Sequence, residues 1–269
     1  MGLYYKTPNM INKLVSAALS YATSLLLLMA CNNNSRQNTF GINAEANQPD
    51  TAKPIITTKL TDTVFPQIFK AAFDQGTEVI QAGITYNFYE YPLGKINIES
   101  GKIIACDPIV MRDVSPFAET FSTGKFPVHL AMATTENDAR VAFSKIIFSD
   151  STVVTWEFAL KSGQAQIPLA DTSIYCYGVD AGTGIFIDSV ANRYFNQLPW
   201  AEWEKVFVTR AEQNGYRGYL HEFDGHNLAT FSTGYGDGCY ATYIGRDIHG
   251  KVCQLLTDFG LVSWWKLKH

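Results

Sequence analysis

The chain has 269 residues, with 21 Lys and Arg against 25 Asp and Glu and a net charge of −4. A mildly acidic chain without a basic cluster does not suit nucleic acid, whose phosphates demand Lys and Arg. Aromatic side chains make up 13% of it, a share that fills cores more often than binding platforms.

The N-terminus reads as an address. Lys6 and Lys13 precede an uncharged run, "LVSAALSYATSLLLLM", closed by Ala30 and Cys31. A basic start, an apolar segment and a small residue before the cut describe a secretory signal over residues 1–30. The run is shorter than the roughly 20 apolar residues that a membrane-spanning helix needs. "LMAC" resembles the lipobox of bacterial lipoproteins, which implies an acylated Cys31 and a membrane-anchored cell-envelope protein facing the periplasm or the exterior. Each buried methylene contributes about 0.8 kcal/mol, so two or three acyl chains on one cysteine hold a protein to a lipid bilayer. Cleavage leaves 239 residues and moves the formal charge to −6, enough chain for a sizeable core.

Residues 31–59 contain few large apolar groups and are expected to form a flexible tether. Such a coil would stand the body roughly 30 Å from its anchor. A single globular domain is expected over 60–269. It opens with "TVFPQIFKAAFDQG", where Phe65, Ile68, Phe69, Ala72 and Phe73 recur at helical spacing and Gly76 suits the stop. "TEVIQAGITYNFYEY", "KINIES", "KIIACDPIVM", "KFPVHLAMATT", "ARVAFSKIIF" and "TVVTWEFAL" then read as strands. Their connections are too short for helical crossovers, so the pairing is expected to be antiparallel.

Two helices follow, "DSVANRYFNQ" with Asp188 or Ser189 as N-cap and "PWAEWEKVFVTRAEQNG" ending at Gly215. Trp200, Trp203 and Phe207 lie near one face of the second and are expected to pack it onto the sheet. The chain returns to strands in "GYLHEF", "NLATFST", "CYATYIGRD" and "GKVCQLLTDF", with Asp247–Gly250 as a hairpin turn. The fold class is α+β: one mainly antiparallel sheet system, sandwich-like in one arrangement, with an N-terminal helix and a helical insertion.

With Cys31 acylated, Cys106, Cys176, Cys239 and Cys253 remain. They form up to two bridges, in one of three connectivities, or stay as buried thiols. Cys239 and Cys253 flank a hairpin and are the favoured pair. No Cys/His spacing matches a zinc site.

"GKIIACDP", "FPVHLAMA", "VVTWEFAL", "YGVDAGTGIFID" and "FSTGYGDGCYATYIGRDIHGKVCQLLTDF" resemble successive blocks of the domain of unknown function 4241 family, from about Lys95 to Phe259. The resemblance implies a domain and no mechanism.

Candidate chemistry centres on aspartates and glycines. In Asp180-Ala181-Gly182-Thr183-Gly184, successive N–H groups either converge on an anion, with Thr183 adding a hydroxyl, or merely turn the chain. Ala181 and the absence of a second copy depart from the Asp-Thr-Gly pair of aspartic proteases. "STGYGDGCY", with Asp237, is a second Gly-rich loop. Asp107, Asp180, Asp237 and Asp258 all sit at strand ends. If they converge, they suit a divalent cation or acid–base work; if they scatter, each caps its own turn. Glu157 in "TWEFA" is either a buried carboxylate or a solvent-facing one. His221 and His226 flank "EFDG" as candidate bases, or as surface polar groups. The favoured function is a lipid-anchored domain that binds a protein or small-molecule ligand without chemistry of its own. The alternatives are a metal-dependent or acid–base hydrolase and an immunity or inhibitor protein.

Overall fold

A computed structural model describes residues 66–169, 174–215 and 217–264. The signal segment, Cys31 and the tether lie outside the described residues. Among those described, no helix is long and apolar enough to cross a membrane.

Among the described residues the sequence blocks become twelve strands: β1 (Thr77–Gln81), β2 (Ile84–Ile98), β3 (Ile103–Cys106), β4 (Gly124–Thr134), β5 (Ala139–Ile147), β6 (Thr155–Phe158), β7 (Tyr177–Val179), β8 (Thr183–Asp188), β9 (Gly218–Phe223), β10 (His226–Ser232), β11 (Gly238–Arg246) and β12 (Val252–Asp258). Their ladders are antiparallel, as expected. The single sheet system divides into two. The larger runs β1-β2-β4-β5-β12-β11-β6, with β7 also on β11, and the smaller runs β3-β8-β10-β9.

"TEVIQAGITYNFYEY" is a hairpin rather than one strand. Ala82 and Gly83 form its two-residue loop with φ of 51° and 79°, the left-handed pair that matches strand twist. β2 then carries "KINIES" as its own continuation, across a register shift between Pro92 and Gly94.

The smaller sheet is apolar on both faces, which explains the unbroken runs "IIAC" and "GIFI". Ile103, Ala105, Phe186, Ala229 and Phe231 share a core with Phe88, Leu130 and Leu255 of the larger sheet. Their alternating neighbours Ile104, Cys106, Ile185, Ile187 and Leu228 pack with Ala191, Phe195, Val206 and Phe207 of the helices. The result is three layers: large sheet, small sheet and helices.

The N-terminal helix is described as one turn, α1 (Ile68–Ala71). Its Phe69 ring lies 5.0–5.7 Å from the rings of Tyr243, Trp156, Trp264 and Phe143. In the outer layer, α2 (Ser189–Phe195) is capped by Asp188, whose Oδ1 accepts from Val190 N at 2.8 Å. α3 (Trp200–Glu204) continues through a π-helical stretch, Lys205–Arg210, into α4 (Ala211–Gln213). Gly215, at φ 61°, ends it as expected. Trp203 and Phe207 pack on the small sheet, but Trp200 does not: it is 51% exposed and stacks on Trp203 at 4.5 Å.

The disulfide joins Cys176 to Cys239, not Cys239 to Cys253, and Cys106 and Cys253 are buried free thiols. The ladder gives the reason. Ala241 pairs with Asp258 and Arg246 with Val252, so the residues that flank the hairpin in sequence sit at its opposite ends. Cys239 instead pairs with Gly178, two residues from Cys176.

Candidate functional site

"YGVDAGTGIFID" is β7, a turn and β8, the place where the chain steps from the large sheet to the small one. The turn is held by Asp107, a buried carboxylate at the end of β3. Asp107 Oδ2 accepts from the backbone N–H of Asp180 and of Ala181, each at 2.8 Å, and Oδ1 accepts from Ile109 N at 2.7 Å. Of the two readings of this loop, the turn is the one seen: its N–H groups converge on a carboxylate of the protein itself, which closes the turn. Asp180 itself is exposed, and Thr183 Oγ1 donates to the Ala181 carbonyl at 3.2 Å.

The second Gly-rich loop lies against the first. Thr233 N donates to Gly182 O at 3.2 Å, and a Cβ on Gly182 would stand 3.6 Å from Gly236 Cα. Thr233 Oγ1 and Tyr240 Oη both donate to Gly236 O, at 2.8 and 2.7 Å. Gly234 N donates to Val141 O at 3.1 Å and fixes the loop to β5.

The four aspartates divide their work. Asp107 reaches Asp180 only through its backbone, and Asp237 is exposed on the second loop. Asp258 is buried, with Oδ1 accepting from Gly260 N at 2.8 Å and Oδ2 from Trp264 Nε1 at 2.7 Å. Burial pushes its carboxyl up to about 6. Among the described residues, no group of three or more His, Cys, Asp or Glu side chains is placed to hold a metal ion.

The remaining candidates have local partners. Half-buried Glu157 accepts from Arg246 Nε at 2.6 Å, and Arg246 also pairs with Glu119. His221 is no surface group: at 4% exposure it sits beside Phe195 and Phe223, 2.9 Å from Arg210 Nη1. Burial, then the Arg210 charge, lowers its pKa, so the ring is neutral and Nδ1 accepts. His226 lies over Tyr194 at 4.3 Å, with Nδ1 2.6 Å from Glu99 Oε1.

What the two loops build together is a cleft of about 380 Å³, bounded by Gly182, Ser232–Gly236, Met132, the Asp138–Arg140 segment, Gly215 and Arg217. Arg140 pairs with Asp138, donates through Nη1 to Gly234 O at 3.2 Å and lies 4.8 Å over the Tyr235 ring. The Tyr235 and Tyr86 hydroxyls hydrogen-bond to one another at 3.0 Å. That bond, then burial, pushes Tyr86 up to about 12. Arg217 stands 5.9 Å from the Tyr91 ring centroid. Two guanidinium groups and one carboxylate leave the lining with an excess of positive charge, which suits oxyanions bound through paired N–H donors.

Neither arginine stands out in the sequence. They lie far apart along the chain, on segments that only the two-sheet topology brings together. The recurrence of Gly-rich loops is the sequence signal that leads to the cleft.

A family model described as a protein of unknown function, DUF4241, matches residues 96–257, well over half of the chain. No curated protein and no solved structure matches it.

Proposed function

As the chain belongs to the DUF4241 family, whose description states no activity, we propose that it is a ligand-binding protein of the bacterial cell envelope. On this reading acylated Cys31 holds it to a bilayer, and the cleft between the two Gly-rich loops is its binding site. The observation that carries the reading is the meeting of those loops over about 380 Å³, within the range of small-molecule sites.

Two features support it. The Cys176–Cys239 bridge suits an oxidising compartment outside the cytosol. It also ties β7, which leads into the first loop, to β11, which leads out of the second, so the rim is held in place.

The full-length protein tests both halves. Cys31→Ser is expected to abolish palmitate incorporation and release the protein from membranes. Continued labelling and pelleting would refute the anchor. In a ligand screen read by thermal shift, Ala139→Trp, an exposed position on the cleft wall, is expected to remove the hits. Hits that survive it place binding elsewhere. Substrate turnover abolished by Asp180→Ala without loss of stability would replace binding with catalysis.

A further inference from the structure

We propose that the cleft is an oxyanion site, in which Arg140 and Arg217 grip the carboxylate or phosphate group of a small ligand from two sides. The proposal rests on the binding reading above and adds the chemistry of what is bound.

The chain as a whole is acidic, at −4, yet among the described residues the charged side chains lining this cleft are two arginines and one aspartate. Positive charge concentrated in one concavity of an acidic protein attracts anions to that place. Asp138 pairs with Arg140, so the described lining keeps one positive charge in excess.

A guanidinium carries five N–H donors in a fixed plane. Arg140 engages Nε with Asp138 and Nη1 with the Gly234 carbonyl, while the Tyr235 ring faces its plane. Its rotamer is therefore set before any ligand arrives, so little side-chain entropy is lost on binding. Arg217, also in the cleft lining, is exposed, and its backbone carbonyl accepts from Ser232 N at 3.1 Å, which ties its position to the second Gly-rich loop.

About 380 Å³ is far more than one inorganic ion needs, so the oxyanion is one group of a larger molecule. The Asp180–Ala181 nest is excluded as the anion's seat because Asp107 already fills it.

The test measures the melting temperature of the full chain with inorganic phosphate, with glutarate, and with sodium chloride at matched ionic strength. Phosphate or glutarate is expected to raise it by about 3–6 °C at tenfold the dissociation constant. Whichever acts at lower concentration identifies the group recognised. Arg217→Ala is expected to weaken the effect about tenfold or more, with Arg217→Lys restoring little, because a lysine lacks the paired planar donors. Arg140→Ala is expected to do the same; since Arg140 also braces Gly234, the exposed Arg217 variants decide. An equal rise in chloride, or an unchanged response in Arg217→Ala, overturns the proposal. If neutral compounds bind and Ala139→Trp expels them while both oxyanions are inert, the anion chemistry is wrong and the cleft stands.

Discussion

The Asp107 carboxylate accepts the backbone N–H of Ala181 at 2.8 Å, and through the same oxygen the N–H of Asp180. An acid at the end of one strand thus closes a turn more than seventy residues later. Asp107→Ala is expected to cost about 3 kcal/mol, because it removes a buried charged acceptor shared by three backbone N–H groups. Asp180→Ala, at an exposed side chain, is expected to stay within about 0.5 kcal/mol. Urea unfolding of the pair checks this, and equal losses would refute the division of roles.

That contrast marks what the sequence reveals and what it hides. Periodicity exposes the strands, the Asp188 cap and the Gly215 stop, since each is written in neighbouring residues. The split into two sheets is not local: β8 must insert between β3 and β10. The Ala82-Gly83 turn is hidden because alanine rarely takes positive φ. His221 reads as a surface residue because its burial depends on helices that lie earlier in the chain. Arg140 and Arg217 come to line one cleft only once the Gly-rich loops meet.

Asp258 makes a pH prediction. Burial raises its folded pKa to about 6, against about 3.9 unfolded. The folded state then binds the extra proton, so this contribution is fully present below about pH 4 and is lost as pH rises through 6. The size is on the order of 2–3 kcal/mol. Asp258→Asn is expected to remove that slope and still destabilise the fold. Both carboxylate oxygens accept N–H groups, and an amide nitrogen would face one of them. Unfolding free energies of both proteins between pH 4 and 7 provide the check.

His221 predicts the opposite slope. Its pKa is lowered, first by burial and then by Arg210, so below about pH 6.5 the unfolded chain binds more protons. Stability is lost as pH falls from 6.5 toward the folded pKa. His221→Phe keeps an aromatic ring beside Phe195 and Phe223 and is expected to flatten the decline. An identical pH profile in the variant would show that His221 is not the group responsible.

Two glycines of the second loop separate packing from backbone strain, and they tie the fold to the cleft. Both have positive φ, 50° at Gly234 and 110° at Gly236. A Cβ on Gly234 would lie 2.7 Å from the Phe259 carbonyl oxygen and equally close to Leu261 Cδ1, whereas one on Gly236 meets nothing within 4 Å. Gly236→Ala therefore carries strain alone, about 1–2 kcal/mol. Gly234→Ala adds a clash with backbone that cannot step aside, and is expected to cost about 2 kcal/mol more. Gly234 also supplies the carbonyl that orients Arg140. Its alanine variant should accordingly weaken the phosphate or glutarate response at temperatures where the protein remains folded. Gly236→Ala should leave most of that response in place. Chemical unfolding ranks the two stabilities and ligand titration ranks the two responses. If both variants behave alike in both measurements, the close packing of Gly234 against Phe259 is not what positions the arginine.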